Sequence, residues 1–589
     1  MRKLVAIAML SVAACSGDLS VGGDDNTTAD GNTGMDAVPC GLQIGFDPID
    51  PVASSVLPIR AYTNLVNTAG VLSFTWTVTF NGANVPTTEQ AADGSQINFI
   101  AATAGSYFVT VQVSGPTDCS YASTAKYVEA PGANADVFRL RTVPAPNLAP
   151  PQETYIQVKG GANIDRAIAL DSGISVTGLV KNTATSTGIS AYLKFMPRSM
   201  PTAYTELFSS ATGVYNLRLL PYDHDVLVIP TATTLAPKLV PWSAVPFTTE
   251  LHVGPGTVVS GTVHNPAGNG FAGAKVQLYA GSVPSTIGTT AADGSFSVRT
   301  DFPTTSSQVT VKVTPPASSG LPRLEATSTF NLANALNINY AASLATCNLQ
   351  NTPVQRVGAN QANAQVTVVG ALGGVAGTIG GINATNTVRV SATADGTGRL
   401  PSMLVPRGAL NVVTVLSMTD HAVSAIDTSA CSVTQIDAPA MTTITGATKD
   451  ATMTALPNIR IEAEPVGVLA TAGVAPIHIM SNDTTGAFSL PLAAGGRYNV
   501  RFTDPQQRAA PLTASNVAPG GVPTNAQLAK ALALTGQVSI VNNSTPVIGA
   551  SVQILCTTCS GLDLERPIAE TATNTVSRYA IAVPDPGTM

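Results

Sequence analysis

Side chains that do chemistry are thinly spread in this chain of 589 residues. It has seven cysteines, Cys15, Cys40, Cys119, Cys347, Cys431, Cys556 and Cys559, and five histidines, His224, His252, His264, His421 and His478. The histidines are scattered and share no ligand spacing, so they spell no zinc site. Asp223-His224-Asp225 sets an imidazole between two carboxylates, a grouping that ligates metal or abstracts protons. Neighbouring strand residues point to opposite faces, however, which turns His224 away from both acids. An exposed turn is its expected setting. No Gly-Lys-(Ser/Thr) phosphate loop, no His-Glu-x-x-His and no Gly-x-Ser-x-Gly occurs. Gly268-x-Gly270-x-x-Gly273 spells the dinucleotide fingerprint, but a strand, Ala274 to Leu278, follows where a pyrophosphate needs a helix N-terminus. Carboxylates are sparse, and Asp24-Asp25 or Asp483 alone lack the oxygens that calcium takes. The expectation is a non-catalytic protein with no cofactor and no metal.

The cysteines beyond Cys15 fit export to an oxidising compartment. Cys40 and Cys119 bracket residues 39–130, Cys347 and Cys431 bracket much of 336–440, and Cys556 and Cys559 form a close pair. Six cysteines permit fifteen pairings, and the three nested within domains are the simplest. Each of the two long loops would stabilise its domain by roughly 4–5 kcal/mol through lost chain entropy. Cys556-Thr-Thr-Cys559 lacks the further ligands of a zinc site and the helix start of a redox site, and it follows a strand, Ala550 to Leu555. It reads as a structural or strained disulfide.

Met1-Arg2-Lys3 is positive, and Leu4 to Ala14 is apolar but too short to span a bilayer. This leader ends Val12-Ala13-Ala14-Cys15, which resembles a bacterial lipobox. The resemblance implies that the Cys15 thiol is diacylated and the leader cut before it, with acylation of the new amine. Several chains on one residue anchor stably where one is marginal. Ser16 stands where an Asp often marks inner-membrane retention, so the resemblance implies an outer-membrane lipoprotein, at the cell surface or the periplasmic face. Residues 16–38, mostly Gly, Asp, Asn, Ser and Thr, read as a flexible tether.

The remaining chain must be built to position these few groups, and its plan is repetitive. A closing motif, Gly-x-aromatic-x-aliphatic, occurs at Gly105, Gly213, Gly294 and Gly486, with degenerate copies at Ser577 and Gly398. An opening motif, aliphatic-x-Gly, precedes five of these at Gly178, Gly261, Gly377, Gly446 and Gly536, by 35, 33, 21, 40 and 41 residues. Successive closing motifs lie 108, 81, 104, 88 and 91 residues apart, the size of a β-sandwich and too long for a solenoid repeat. Gly permits the positive φ of a hairpin turn, and residues two apart share a strand face.

Gly261-Thr-Val263, Gly273-Ala-Lys-Val276 and Asp293-Gly294-Ser-Phe296 resemble the carboxypeptidase regulatory-like domain, a transthyretin-like prealbumin sandwich. The match is clearest over 255–335, moderate over 165–230 and 531–589, and weak over 370–420 and 441–505. That family is an accessory, non-catalytic domain, so the resemblance implies a spacer or binding module. In residues 39–130 the Leu72 to Val78 strand with Trp76, and the strand from Tyr107 to Val113, resemble a polycystic-kidney-disease or immunoglobulin-like domain. Trp76 is expected in its core.

The expected plan is therefore all-β. A signal peptide (1–14) and acylated tether (15–38) precede about six sandwiches, at 39–130, 131–250, 251–335, 336–440, 441–530 with a linker, and 531–589. The last looks short of strands, so a neighbour should complete it. The apolar run Val366 to Ile382 is too short and Gly-rich for a membrane span and reads as two buried strands with a turn. Residues 524–533 are expected to make a helical turn or two.

The net charge is −6, and −8 once Arg2 and Lys3 leave with the leader. No basic cluster exists, so nucleic acid is not an expected partner. The expected role is a membrane-anchored structural or adhesion scaffold of the cell envelope, with a glycan or an envelope protein as partner. The alternative is a carbohydrate-binding surface lipoprotein. That needs an aromatic platform, and the two tryptophans, Trp76 and Trp242, offer little toward one.

Overall fold

The computed structural model describes residues 44–47, 58–63, 72–89, 94–103, 105–114, 123–130, 135–145, 148–159, 163–198, 202–220, 223–242, 250–305, 307–540, 545–556 and 567–584. Alternation builds most elements. The strand Ala191–Pro197 buries Ala191, Leu193, Phe195 and Pro197 and turns the residues between them outward, the pattern of a sheet with one face on a core. Among the described residues the strands assemble into six sandwiches, each around its own apolar cluster. The described residues form an all-β array of sandwiches. In the first, Trp76 is half-buried against the core, and its indole N–H donates to the Gly94 carbonyl at 2.9 Å.

The paired motifs have one structural cause. The opening strand lies between the closing strand, antiparallel, and the last strand of its sandwich, parallel. Across the antiparallel ladder the opening glycine faces the closing aromatic in four of the five pairs: Gly178 opposite Tyr215, Gly261 opposite Phe296, Gly446 opposite Phe488 and Gly536 opposite Tyr579. At Gly261 a Cβ would stand 2.7 Å from the Phe296 ring and 2.1 Å from the Leu336 carbonyl oxygen. The ring thus covers the glycine, and the parallel strand approaches more closely than any side chain permits. Gly446→Ala is expected to destabilise its sandwich by about 1–3 kcal/mol, because its Cβ would lie 2.4 Å from the Thr524 carbonyl oxygen. Thermal denaturation of the variant checks this, and an unchanged midpoint would refute it.

The domain boundaries differ from those expected. Residues 131–250 are not one sandwich. Ala135–Val143 pairs with Gln152–Lys159 on one side and with Ser551–Cys556 on the other. In the facing sheet, Ile164–Asp165 and Ile168–Leu170 run parallel to Ala531–Ile540. The second sandwich is therefore split: the chain begins it, builds four others, and returns to finish it. Residues 531–584 are completed from the far end of the array and not by their neighbour in sequence, because their four strands leave both sheets without a flank. The sixth sandwich also touches this closure, where the Arg501 guanidinium donates to the carbonyls of Pro567 (3.0 Å) and Ile568.

Gly377 is a further correction. Its strand, Gly377–Ile379, pairs with Leu336–Tyr340 of the fourth sandwich instead of opening the fifth. The fifth is opened by Val354–Arg356, which runs parallel to Ile436–Asp437 and bridges to Arg399 through Pro353. This accounts for the short 21-residue spacing of that motif pair. The run Val366 to Ile382 does hold two strands, Gln365–Gly370 and Gly377–Ile379, but they belong to different sandwiches. The fourth and fifth are fused further by Arg323, Leu324 and Glu325 facing Thr387, Asn386 and Thr385 in one nine-stranded sheet. Residues 524–533 are the strand Asn525–Gln527 and the start of Ala531–Ile540, with no helix, because the first is the parallel partner of the Thr442–Lys449 strand and the second is itself an opening strand, between Arg578–Pro584 and the parallel strands from Ile164 to Leu170.

Candidate functional site

Cys347 and Cys431 are joined in a disulfide across the fifth sandwich. Cys556 ends the strand Ser551–Cys556. Cys15, Cys40, Cys119 and Cys559, and with them the lipobox and tether, lie outside the described residues. Among the described residues, no three His, Cys, Asp or Glu side chains are placed to hold a metal, and no helix is long and apolar enough to cross a membrane.

His224 does not sit in an exposed turn. It opens the strand His224–Pro230 and is buried, edge-on to Trp242 at 5.3 Å and near Phe195 at 6.5 Å. Asp225 does point the other way, outward, to Arg198 at 3.0 Å. The aromatic cage comes from other strands, which is why the local triplet did not announce it. His252 pairs with Glu250 on the surface at 3.2 Å, and His478 lies near the Arg460 guanidinium at 3.4 Å.

His421 is buried at the junction of the fifth and sixth sandwiches, with Nε2 2.7 Å from the Tyr498 hydroxyl. That oxygen accepts the Ala493 N–H at 2.9 Å. Burial pushes the Tyr498 phenol up to about 12, so it keeps its proton and shares one hydrogen bond with the imidazole. Burial likewise depresses the His421 pKa below 6.5, with Asp420 opposing weakly. Asp420 itself is clamped by both Arg356 Nη atoms, at 2.7 and 3.0 Å. A depressed histidine binds protons more readily unfolded than folded. The contribution of His421 to stability is therefore complete above the unfolded pKa near 6.5 and declines as the pH falls below it. Melting curves from pH 8 to 5 are expected to show this acid limb in the sixth sandwich, and His421→Gln to flatten it. An identical pH profile for the variant would refute the assignment.

Among the described residues, a cleft of about 550 Å³ opens between the second and third sandwiches. One wall is Val143, Pro144 and Ala149 to Pro151, and the other is Tyr204 to Leu207 with Asn216 and Arg218. Glu153 sets the walls against each other. Its buried carboxylate accepts from Arg141 Nε at 2.8 Å and from Thr202 Oγ1, on the other sandwich, at 2.9 Å.

From this cleft a strip of side chains runs along the outer face of the third sandwich. In the ladder of Ala191–Pro197 with Thr205–Phe208, Tyr192 faces Phe208 and Lys194 faces Glu206. Lys194 Nζ lies 3.6 Å from the centre of the Tyr204 ring. The Tyr192 hydroxyl donates to Glu206 Oε2 at 2.6 Å, and the Tyr192 and Phe208 rings meet edge-on at 5.5 Å. Phe208 is 69% exposed and Tyr204 38%, uncommon for side chains that bury so much apolar area when covered. Attention to tryptophan alone passes over this strip. The available signal is the aromatic and charged pair at alternate positions in each strand.

No protein-family model matches the chain, and no curated protein matches it. The resemblance of its repeats to the carboxypeptidase regulatory-like domain therefore rests on the motifs. Among solved structures, the chain is similar to the TIE protein of Bacillus anthracis at 12% identity, over 69% of this chain and 75% of that one, with a TM-score of 0.13. A streptococcal ancillary pilin matches at 9% identity over 61% and 99%, TM-score 0.13. The major pilin subunit of Bacillus cereus, BcpA, matches at 12% over 60% and 97%, TM-score 0.12. At such scores the likeness carries no argument, and the fold stands on the strand pairings above.

Proposed function

We propose that this protein is a non-catalytic, lipid-anchored scaffold of the cell envelope, built to hold a binding surface at a set distance from the membrane. The supporting observation is how the sandwiches join. They connect by shared ladders and buried polar contacts: the nine-stranded sheet of the fourth and fifth, the split second, and the Glu153 and His421 junctions. Joints of this kind transmit position, which a bead-and-linker chain does not. Acylated Cys15 would tie the array to the outer membrane through residues 16–38. Partners would be glycans or envelope proteins, and the strip of the third sandwich favours the glycan.

Protease shaving of intact cells, read by mass spectrometry for peptides from residues 131–589, tests the placement. Peptides released from unbroken cells support an outward-facing array, and protection until the outer membrane is opened makes it periplasmic. Labelled palmitate should enter the wild-type chain and not Cys15→Ser. Equal labelling of both, or of neither, refutes the anchor.

A further inference from the structure

We propose that the strip Tyr192, Lys194, Tyr204, Glu206 and Phe208, together with the cleft it enters, binds a neutral, hydroxyl-rich oligosaccharide. The argument is one of matching chemistry. Tyr204 and Phe208 lie four residues apart, on the order of 13 Å in extended chain, and both rings are substantially exposed. Between them sit two opposite charges, Lys194 and Glu206, facing each other across the ladder. A pyranose presents an apolar C–H face to a ring and a rim of hydroxyls that both donate and accept. Exposed rings supply the first contact, and the ammonium and carboxylate supply the second.

Charge narrows the choice further. The opposite charges of Lys194 and Glu206 leave the strip itself without net charge, so it offers little to draw in a polyanion or a polycation. An apolar protein partner would meet charges between the rings, where interface cores are depleted of them. The site is also held ready. Thr202, two residues before Tyr204, is fixed to the buried Glu153 of the second sandwich, and Glu206 holds the Tyr192 hydroxyl. Fixing these two groups beforehand lowers the ordering cost of binding. Asn216 at the cleft wall extends the hydrogen-bonding rim, while the Arg218 guanidinium is turned to the Ser172 carbonyl at 3.2 Å. The proposal rests on the scaffold reading only for where the ligand is met, and the binding is measurable without it.

The test uses the full chain in detergent, titrated with labelled cellohexaose, maltohexaose and mannohexaose, with hexagalacturonate as the charged counterpart. At least one neutral hexasaccharide should bind. Phe208→Ala and Tyr204→Ala should each weaken it by about fivefold or more, the mark of an anchoring residue. Both positions are exposed enough that melting should not change. Val258→Ala, exposed on the fourth sandwich, should bind as the wild type does. Three results overturn the site: no neutral sugar bound at millimolar concentration, preference for hexagalacturonate, or binding indifferent to Phe208 and Tyr204. Capture of an extended peptide in place of sugar, added to the free edge of Thr205–Phe208, also overturns it. None of these touches the scaffold reading, which protease shaving decides separately.

Discussion

Ending the chain after Lys530 will unfold residues 135–170, some 360 residues upstream of the cut in sequence. The second sandwich has nineteen buried residues in its apolar cluster, and twelve of them, from Leu532 to Val583, lie in the deleted part. Burying one large aliphatic or aromatic side chain contributes about 1.5–3 kcal/mol. A whole domain is stable by only about 5–15 kcal/mol. The seven residues left behind, Phe138 to Leu170, cannot make a core. Limited proteolysis should show new cleavage within 135–170 while the third to sixth sandwiches stay resistant. Residues 531–589 supplied as a separate polypeptide should restore protection, since the contacts are non-covalent ladders. Undiminished protection of 135–170 in the truncated chain would show that the sandwich is not split.

Cys431→Ser should cost the fifth sandwich roughly 4–5 kcal/mol, the chain entropy of a loop of this length. Cys347 and Cys431 are 84 residues apart in sequence, and Cys347 is buried in the cluster it staples. The loss weighs heavily because the smaller sheets here are short: Thr346–Asn348, Val354–Arg356 and Ile436–Asp437 pair over only two or three residues each. For a domain of this size the midpoint should fall by roughly 16–40 °C. Hydrogen exchange localises the effect. Amides of Val354–Arg356 should exchange faster, while those of Gln308–Thr314 in the fourth sandwich hold. A mild reductant should reproduce the variant. If neither treatment moves the fifth sandwich, the disulfide is not what secures it.

Much of this architecture is local and so is visible in the chain itself. Alternation with period two, as in Ala191–Pro197, names the strands because pleating sends successive side chains to opposite faces. The opening glycine and closing aromatic recur because one ring must cover one bare backbone position across an antiparallel pair, as at Gly261 and Phe296. Both rules act within a strand or between two strands, and local sequence can carry them. It also shows that Cys347 and Cys431 flank one unit, though not that they meet.

What closes a sandwich is not local. An apolar strand face accepts any complement of the right pattern, so nothing in residues 531–584 says that their partners are 135–170 and not 442–527. Only the packed array brings those two segments together. The same limit hid the strip and the buried histidine. Tyr192 and Phe195 are both aromatic on one strand, and which of them faces water depends on the sheet laid against it. His224 is buried because Trp242 and Phe195 reach it from other strands. By itself the sequence determined an all-β, sparsely charged chain of sandwich-sized repeats. The tertiary structure decided which strands share a core and which side chains are left for a ligand, because burial belongs to pairs of surfaces and no single strand encodes it.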